Sequence, residues 1–234
     1  MKLQPVATIR APETVYVVDD DPAIREGLAN LFEAVGLPAL CFASAESFKE
    51  EMSEQMSGCL LLDARLPGVS GVEFQEMMTK AGIRIPVIFM TAHGDVPMVR
   101  KVMKAGAVEF LTKPFQKAEL LQAVEQAFAT DRVRCHDEEV VNSIQSRMNT
   151  LTDREREVME RVTTGLLNKQ IAADLNLSEI TVKLYRRQVM DKMHADSLAD
   201  LVKMCERVNA AARQRRVTLA QAPLSDEDIP APAG

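Results

Sequence analysis

The sequence predicts an α/β domain built on a doubly wound, five-stranded parallel sheet, followed by a smaller all-α domain of four helices. Three observations carry this. Strand-length apolar runs alternate with helix-length segments from Thr14 to Ala129, the pattern of repeated strand-helix units. The run Cys59–Leu62 is wholly apolar, which suits a strand covered on both faces of a parallel sheet. Beyond Asn149 the strand pattern stops and helix-start signals follow one another closely. At 234 residues and 47% hydrophobic, the chain can bury two separate cores.

The predicted strands are Val15–Val18, Ala39–Phe42, Cys59–Leu62, Val87–Met90 and Val108–Leu111. Between the first two, Asp21-Pro22 reads as an acidic N-cap with proline at the first helical position, opening a helix to Val35 that stops near Gly36. Further helices fit Ala45–Met56, Gly71–Ala81, Val96–Ala105 and Lys117 to about Arg132. Leu120, Val124 and Phe128 recur at helical spacing and form a core stripe. Residues 131–149 are polar and read either as a linker or as an extension of the preceding helix.

The second domain, residues 150–213, opens on Thr152-Asp-Arg-Glu155, a capping-box sequence before the apolar-periodic stretch Val158–Val162. Gly165 ends that helix. Asn168–Leu175 is a short helix, Asn176-Leu177 a tight turn, and Ser178 the N-cap of a longer helix to Met193. Short helix, turn and longer helix make a helix-turn-helix. Ser197 caps a fourth helix to about Arg213, and residues 214–234, rich in Ala and Pro with an acidic cluster, have the composition of a disordered tail.

Charge and cysteine usage narrow the function classes. Residues 1–130 carry 12 basic and 17 acidic side chains, a net of −5, whereas residues 151–213 carry 11 and 10, a net of +1. An anionic partner therefore belongs to the C-terminal part. The four cysteines, Cys41, Cys59, Cys135 and Cys205, form no CxxC pair and read as reduced and structural. No apolar run approaches the ~18 residues of a membrane span, and Met1 to Glu13 lacks the apolar core of a signal peptide. A cytoplasmic location is expected. No GxxxxGK phosphate loop is present, so direct use of ATP is not expected.

The chemistry gathers at strand ends. Asp63 closes the Cys59–Leu62 run, Asp19, Asp20 and Asp21 follow the first strand, Thr91 the fourth, and Thr112-Lys113-Pro114 the fifth. In an open parallel sheet the carboxyl ends of the strands share one crevice, so these groups converge there. Clustered carboxylates repel unless a cation neutralises them, and hard oxygen ligands suit Mg²⁺. Carboxylate nucleophiles form aspartyl-phosphate intermediates, for which a metal, a lysine and a hydroxyl donor supply phosphoryl stabilisation. Asp21, directly before Pro22, reads as a helix cap and not a ligand.

Val-Val-Asp19-Asp20, Asp63 before Leu-Pro-Gly, Thr91-Ala and Lys113-Pro114-Phe115 together resemble the CheY-like receiver domain of two-component response regulators. Thr-Ala-His-Gly-Asp-Val-Pro-Met followed by Met-Lys-Ala-Gly-Ala is similar to the FixJ subgroup. The resemblance covers about residues 14–130. It implies that Asp63 is the phosphoacceptor, served by a sensor histidine kinase. It further implies that Asp19, Asp20, Asp63 and the Arg65 backbone carbonyl hold Mg²⁺, that Thr91 and Lys113 bond the phosphoryl oxygens, and that Phe110 is the switch aromatic. His93 and Arg65 each lie two residues past a site residue, where the family tunes phosphoryl lifetime; a plain surface role fits them equally. Such a receiver is not an enzyme beyond its own phosphorylation and dephosphorylation.

Residues 151–205 resemble the LuxR and NarL DNA-binding domain, through Leu-Thr-Asp-Arg-Glu-Arg-Glu-Val, Gly165, Asn168-Lys-Gln-Ile-Ala, Leu177-Ser-Glu-Ile-Thr-Val-Lys and Lys192-Met. Thr181, Lys183, Leu184, Arg187 and Gln188 can share one face of the recognition helix. By resemblance Lys183, Leu184 and Arg187 read bases, with Lys169 and Arg186 on phosphates. Tyr185 stands where the family often has histidine. The resemblance implies a phosphorylation-switched regulator that dimerises on promoter DNA through the fourth helix and fifth strand, with RNA polymerase a further partner. Three other readings share these features. One is a regulator of the same fold that works without phosphorylation, and another is a signalling adaptor whose C-terminal domain binds protein. The third is a metal-dependent phosphatase with an aspartyl nucleophile, although Arg65 stands where that class carries a second aspartate.

Overall fold

The computed structural model describes residues 12–53, 55–92 and 96–220. Within it the chain forms two compact units, one reaching to Cys135 and the other spanning His136–Ala220. The first contains strands β1 (Thr14–Val18), β2 (Ala39–Phe42), β3 (Gly58–Asp63), β4 (Val87–Thr91) and β5 (Glu109–Thr112). Helices α1 (Pro22–Ala34), α2 (Ala45–Glu51), α3 (Gly71–Lys80) and α4 (Val96–Lys104) connect them, and α5 (Lys117–Asn149) follows β5. All strand pairings are parallel, in the order β2-β1-β3-β4-β5.

Side-chain alternation along β3 divides the core into two layers. Leu60 and Leu62 pack with Phe48 of α2, Phe74 and Met78 of α3 and Val102 of α4. Cys59 and Leu61 point the other way, onto Leu28 and Phe32 of α1 and onto Leu120, Val124 and Phe128 of α5. Every residue of β3 is buried, as its apolar run requires. Phe48 meets Tyr16, Phe42 and Phe74 edge to face, at centroid distances of 5.8, 5.1 and 6.0 Å, the geometry that ring quadrupoles favour.

One helix end here differs from the expectation, and residues 131–149 take one of their two expected forms. Helix α2 ends at Glu51, not Met56, because Met52 is extended and the chain turns to insert Met56 into the core. Residues 131–149 continue α5 as helix, and the buried Asp131 explains why the polar start of this stretch is not a loop. Asp131 Oδ2 accepts from the Gly58 N–H at 2.8 Å and the Ser57 hydroxyl at 3.0 Å, while Arg134 Nε donates to Oδ1 at 2.8 Å. Arg134 also reaches the Met56 carbonyl at 2.9 Å. This knot fastens α5 to the entrance of β3. Gly58 itself has φ +125°, and a Cβ there would lie 1.9 Å from the Thr14 carbonyl oxygen, so no other residue fits.

The second unit holds α6 (Asp153–Thr163), α7 (Asn168–Leu175), α8 (Glu179–Met193) and α9 (Leu198–Ala220). Its core is Val158, Met159, Val162, Ile171, Val182, Val189, Met193 and Leu201, joined by Ile144 and Leu151. Asn176, in the left-handed region at φ 54°, closes α7 and turns the chain into α8. Helix α9 runs to Ala220, past Arg213, because neither proline nor glycine interrupts Gln214–Ala220. The tail expected over 214–234 is therefore helical to Ala220, and the rest of it lies outside the described residues. Among the described residues no helix is long and apolar enough to cross a membrane.

Asp131→Ala removes the acceptor of two buried donors and the counter-charge of Arg134. It is expected to destabilise the first unit by about 3 kcal/mol, read as a lower urea midpoint for that unit with the second unit's transition unchanged.

Candidate functional site

Register places the site residues before any side chain is considered. Val18 pairs with Leu62 across β1 and β3, so Asp19, the next residue, arrives beside Asp63. Strand β4 runs beside β3, with Met90 opposite Asp63 and Thr91 one residue beyond, and Thr91 pairs with Thr112 of β5 just before Lys113. The order of the sheet reverses at β1 and β3, and that is the crevice where open α/β sheets bind ligands.

The convergence is close. Lys113 Nζ lies 2.5 Å from Asp19 Oδ2 and 2.6 Å from Asp63 Oδ2. Carboxylate oxygens of Asp19, Asp20 and Asp63 all lie within 4.8 Å of one another. Asp19 is fully buried, Asp63 nearly so, and Asp20 is exposed, giving a hard oxygen cluster open on one side that fits a divalent cation. Burial pushes the Asp19 carboxyl above its ordinary value, against the lowering effect of the hydrogen bond from Lys113. Burial would depress the Lys113 ammonium, but hydrogen bonds to Asp19 and Asp63 outweigh it and hold the ammonium above its ordinary value.

The backbone finishes the cradle. The Arg65 N–H donates to Asp63 Oδ1 at 2.7 Å and the Asp21 N–H to Asp19 Oδ1 at 3.0 Å. Asp21 Oδ1 accepts from the Ala23 N–H at 2.8 Å, so Asp21 caps α1 as its place before Pro22 implies. Gly71 sits directly against Asp63: a Cβ there would lie 2.6 Å from the Asp63 carbonyl oxygen and 2.9 Å from the Phe89 ring. Thr91 is buried at the end of β4, and Phe110 of β5 is half-buried against the layer holding Phe48 and Phe74. Arg65 is exposed, and His93 lies outside the described residues.

In the second unit α8 presents Lys183, Leu184 and Arg187 to solvent, while Val182, Val189 and Met193 are buried behind them. Arg187 lies 3.8 Å from Asp191 one turn on. Arg186 is half-buried and donates to Asn168 Oδ1 at 3.2 Å, tying α8 to the start of α7 beside the exposed Lys169. Gln188 is half-buried. Thr181 is half-buried too, its hydroxyl 2.8 Å from that of the cap residue Ser178. Tyr185 packs on the core, which accounts for an aromatic ring at that position.

Two features were missed at the level of sequence. Lys192, near the end of α8, donates to Glu155 Oε2 at 2.6 Å, and the same oxygen accepts from the Thr152 N–H at 2.7 Å. This buried carboxylate caps α6 and pins α8 at once. Ile180, on the solvent face of α8, is 81% exposed; its spacing from Lys183, Leu184 and Arg187 was the available signal.

Comparison with known proteins adds a family to this geometry. Residues 15–125 match the response regulator receiver domain, and residues 149–205 match the bacterial regulatory proteins of the luxR family. Nodulation protein W of Bradyrhizobium diazoefficiens is 48% identical over 87% of this chain and 90% of its own length. The transcriptional regulatory protein FixJ of Rhizobium meliloti is 41% identical over 82% of this chain and 94% of its own length. Among solved structures, the response regulator StyR superposes with a TM-score of 0.72 at 44% identity, covering 84% of this chain and 100% of that one.

Burial opposes ionisation of Glu155, yet the bonds from Lys192 and Thr152 hold its carboxyl below the ordinary range. The ionised form is the one folding favours, so its contribution is complete above the unfolded pKa of about 4.3 and is lost as pH falls through the lower folded value. Acid denaturation of the second unit is expected to be shallower in Glu155→Gln, with stability at pH 7 lower by about 1 kcal/mol, as followed by circular dichroism.

Proposed function

The chain belongs to the response-regulator family, a receiver domain joined to a luxR-type DNA-binding domain, and is a phosphorylation-activated transcription regulator; on that premise we propose the roles its residues play. The observation that carries the proposal is the Lys113 ammonium held between Asp19 and Asp63. It sits beside a third carboxylate and a threonine at the neighbouring strand end.

A sensor histidine kinase supplies the phosphoryl group. An Asp63 carboxylate oxygen attacks phosphorus, the bond to the donor histidine nitrogen breaks, and an acyl phosphate forms on Asp63. Asp19, Asp20 and Asp63, with the Arg65 carbonyl, would hold Mg²⁺, which when bound neutralises charge on the phosphoryl oxygens. Lys113 pairs with a phosphoryl oxygen on one side and the Thr91 hydroxyl bonds one on the other. Drawing Thr91 toward the group frees space that Phe110 fills, and α4 with β5 becomes the face on which two copies meet. Residues 14–130 are the phosphorylated part and residues 150–213 the DNA-binding part.

A pair of domains places two recognition helices on two half-sites. Lys183, Leu184 and Arg187 read base edges, while Lys169 and Arg186 position the helix on phosphates. Thr181 holds the first turn of α8 in shape through Ser178. With a net of only +1 over residues 151–213, a single copy neutralises few phosphates, so affinity depends on the dimer. A protein acting on DNA in this way works in the cytoplasm, with RNA polymerase as a further partner.

A small phosphodonor with Mg²⁺ is expected to label the wild-type chain and not Asp63→Ala; persistent labelling of that variant contradicts the acceptor assignment. Lys183→Ala with Arg187→Ala is expected to weaken specific DNA binding roughly hundredfold or more, at about 1–3 kcal/mol per lost base contact, erasing footprints while labelling of Asp63 stays intact.

A further inference from the structure

We infer that Ile180 and Leu184 form an apolar reading strip on α8 that recognises the C5-methyl groups of thymine in the major groove. The inference rests on the DNA-binding reading above and adds Ile180, a residue that reading does not use, together with the chemistry it selects.

The starting point is exposure that folding does not explain. Ile180 is 81% exposed and Leu184 55%, whereas Val182, Val189 and Met193 of the same helix are at most 1% exposed. The inner face of α8 thus already supplies what the core needs. An exposed isoleucine gives up the transfer energy its burial would yield, and as a β-branched residue it is no aid to a helix. Packing within this unit does not use it, so any use it has lies outside the unit.

Position decides what that is. Ile180 is the second residue of α8, in the first turn beyond the Ser178 cap, and the N-terminal residues of a recognition helix are those that meet base edges. Leu184 follows at i+4, so the two side chains stack along one line of the helix. Lys183 and Arg187, at i+3 and i+7 and both exposed, run along one side of that line. An apolar strip bordered by cations is complementary to a surface that is anionic at its edges and carries methyl groups at its floor. The major groove meets that description, since thymine presents a C5-methyl and guanine two acceptors for Lys or Arg. The preferred half-site therefore mixes thymine opposite Ile180 and Leu184 with guanine within reach of Lys183 and Arg187.

The test uses the full-length chain treated with phosphodonor and Mg²⁺. A bound duplex is selected from random DNA, and each thymine of the site is then replaced singly by deoxyuridine, which removes the methyl group alone. Binding is followed by fluorescence anisotropy at fixed salt. Wild type is expected to lose three- to tenfold in affinity at one or two thymines in each half-site. Ile180→Ala should lose about as much on the unmodified duplex and be insensitive to deoxyuridine at one of those positions, with Ile180→Val in between. Because Ile180 is exposed, all variants should melt as wild type does. If deoxyuridine is without effect everywhere, or Ile180→Ala keeps full methyl sensitivity, the strip serves a protein partner instead and the inference falls. If wild type selects no duplex at all, the DNA-binding reading falls with it.

Discussion

Two carboxylates and one ammonium at the carboxyl edge of a parallel sheet are the constraint on which the first unit depends. Asp19, Asp63 and Lys113 belong to the ends of three different strands, and Lys113 Nζ reaches both acids only because β1, β3, β4 and β5 run in one register. The apolar layers on either face of β3 hold that register, and the Asp131 knot holds the far end of the same strand. An uncompensated pair of buried acids would push itself toward protonation. Lys113 supplies the opposite charge between the two acids, so any group that adds charge at Asp63 disturbs a balance of three charges. On the proposed reading, a phosphoryl group on Asp63 would reassign the lysine, with Thr91 and Phe110 as the residues proposed to register that change.

The second unit uses the same device for another end. Glu155 is buried, and Lys192 with the α6 cap keeps it ionised. There the pair is a clamp, holding α8 so that Lys183, Leu184 and Arg187 face solvent on a rigid element. The contrast lies in access. Asp63 and Lys113 stand beside the exposed Asp20, whereas Glu155 is enclosed by its own partners.

Much of this was legible in the sequence because it rests on local signals. The wholly apolar Cys59–Leu62 run announces a central strand, Asp21-Pro22 a helix start, and Ser178 the recognition helix, and each is found within a residue or so of the expected place. The acid cluster was legible by a longer argument, that parallel strands bring their ends together. What stayed hidden depends on partners distant in sequence. Asp131 opens a polar stretch that reads as a linker or as a helical extension, and nothing local decides between them until Gly58, 73 residues earlier, is seen donating to it. Lys192 shows nothing of Glu155, 37 residues before it. The exposure of Ile180 emerges only when Val182 and Val189 are seen to take the core.

The central claim is that charge added at Asp63 controls what α8 does to DNA. It is tested most directly by measuring the affinity of the full-length chain for a selected duplex at fixed salt, with and without phosphodonor and Mg²⁺, beside Asp63→Asn. The account predicts that wild type gains about tenfold or more on treatment, within the usual range of coupling between sites, while the variant does not respond. Equal affinities for treated and untreated wild type, or the same gain in Asp63→Asn, would contradict it.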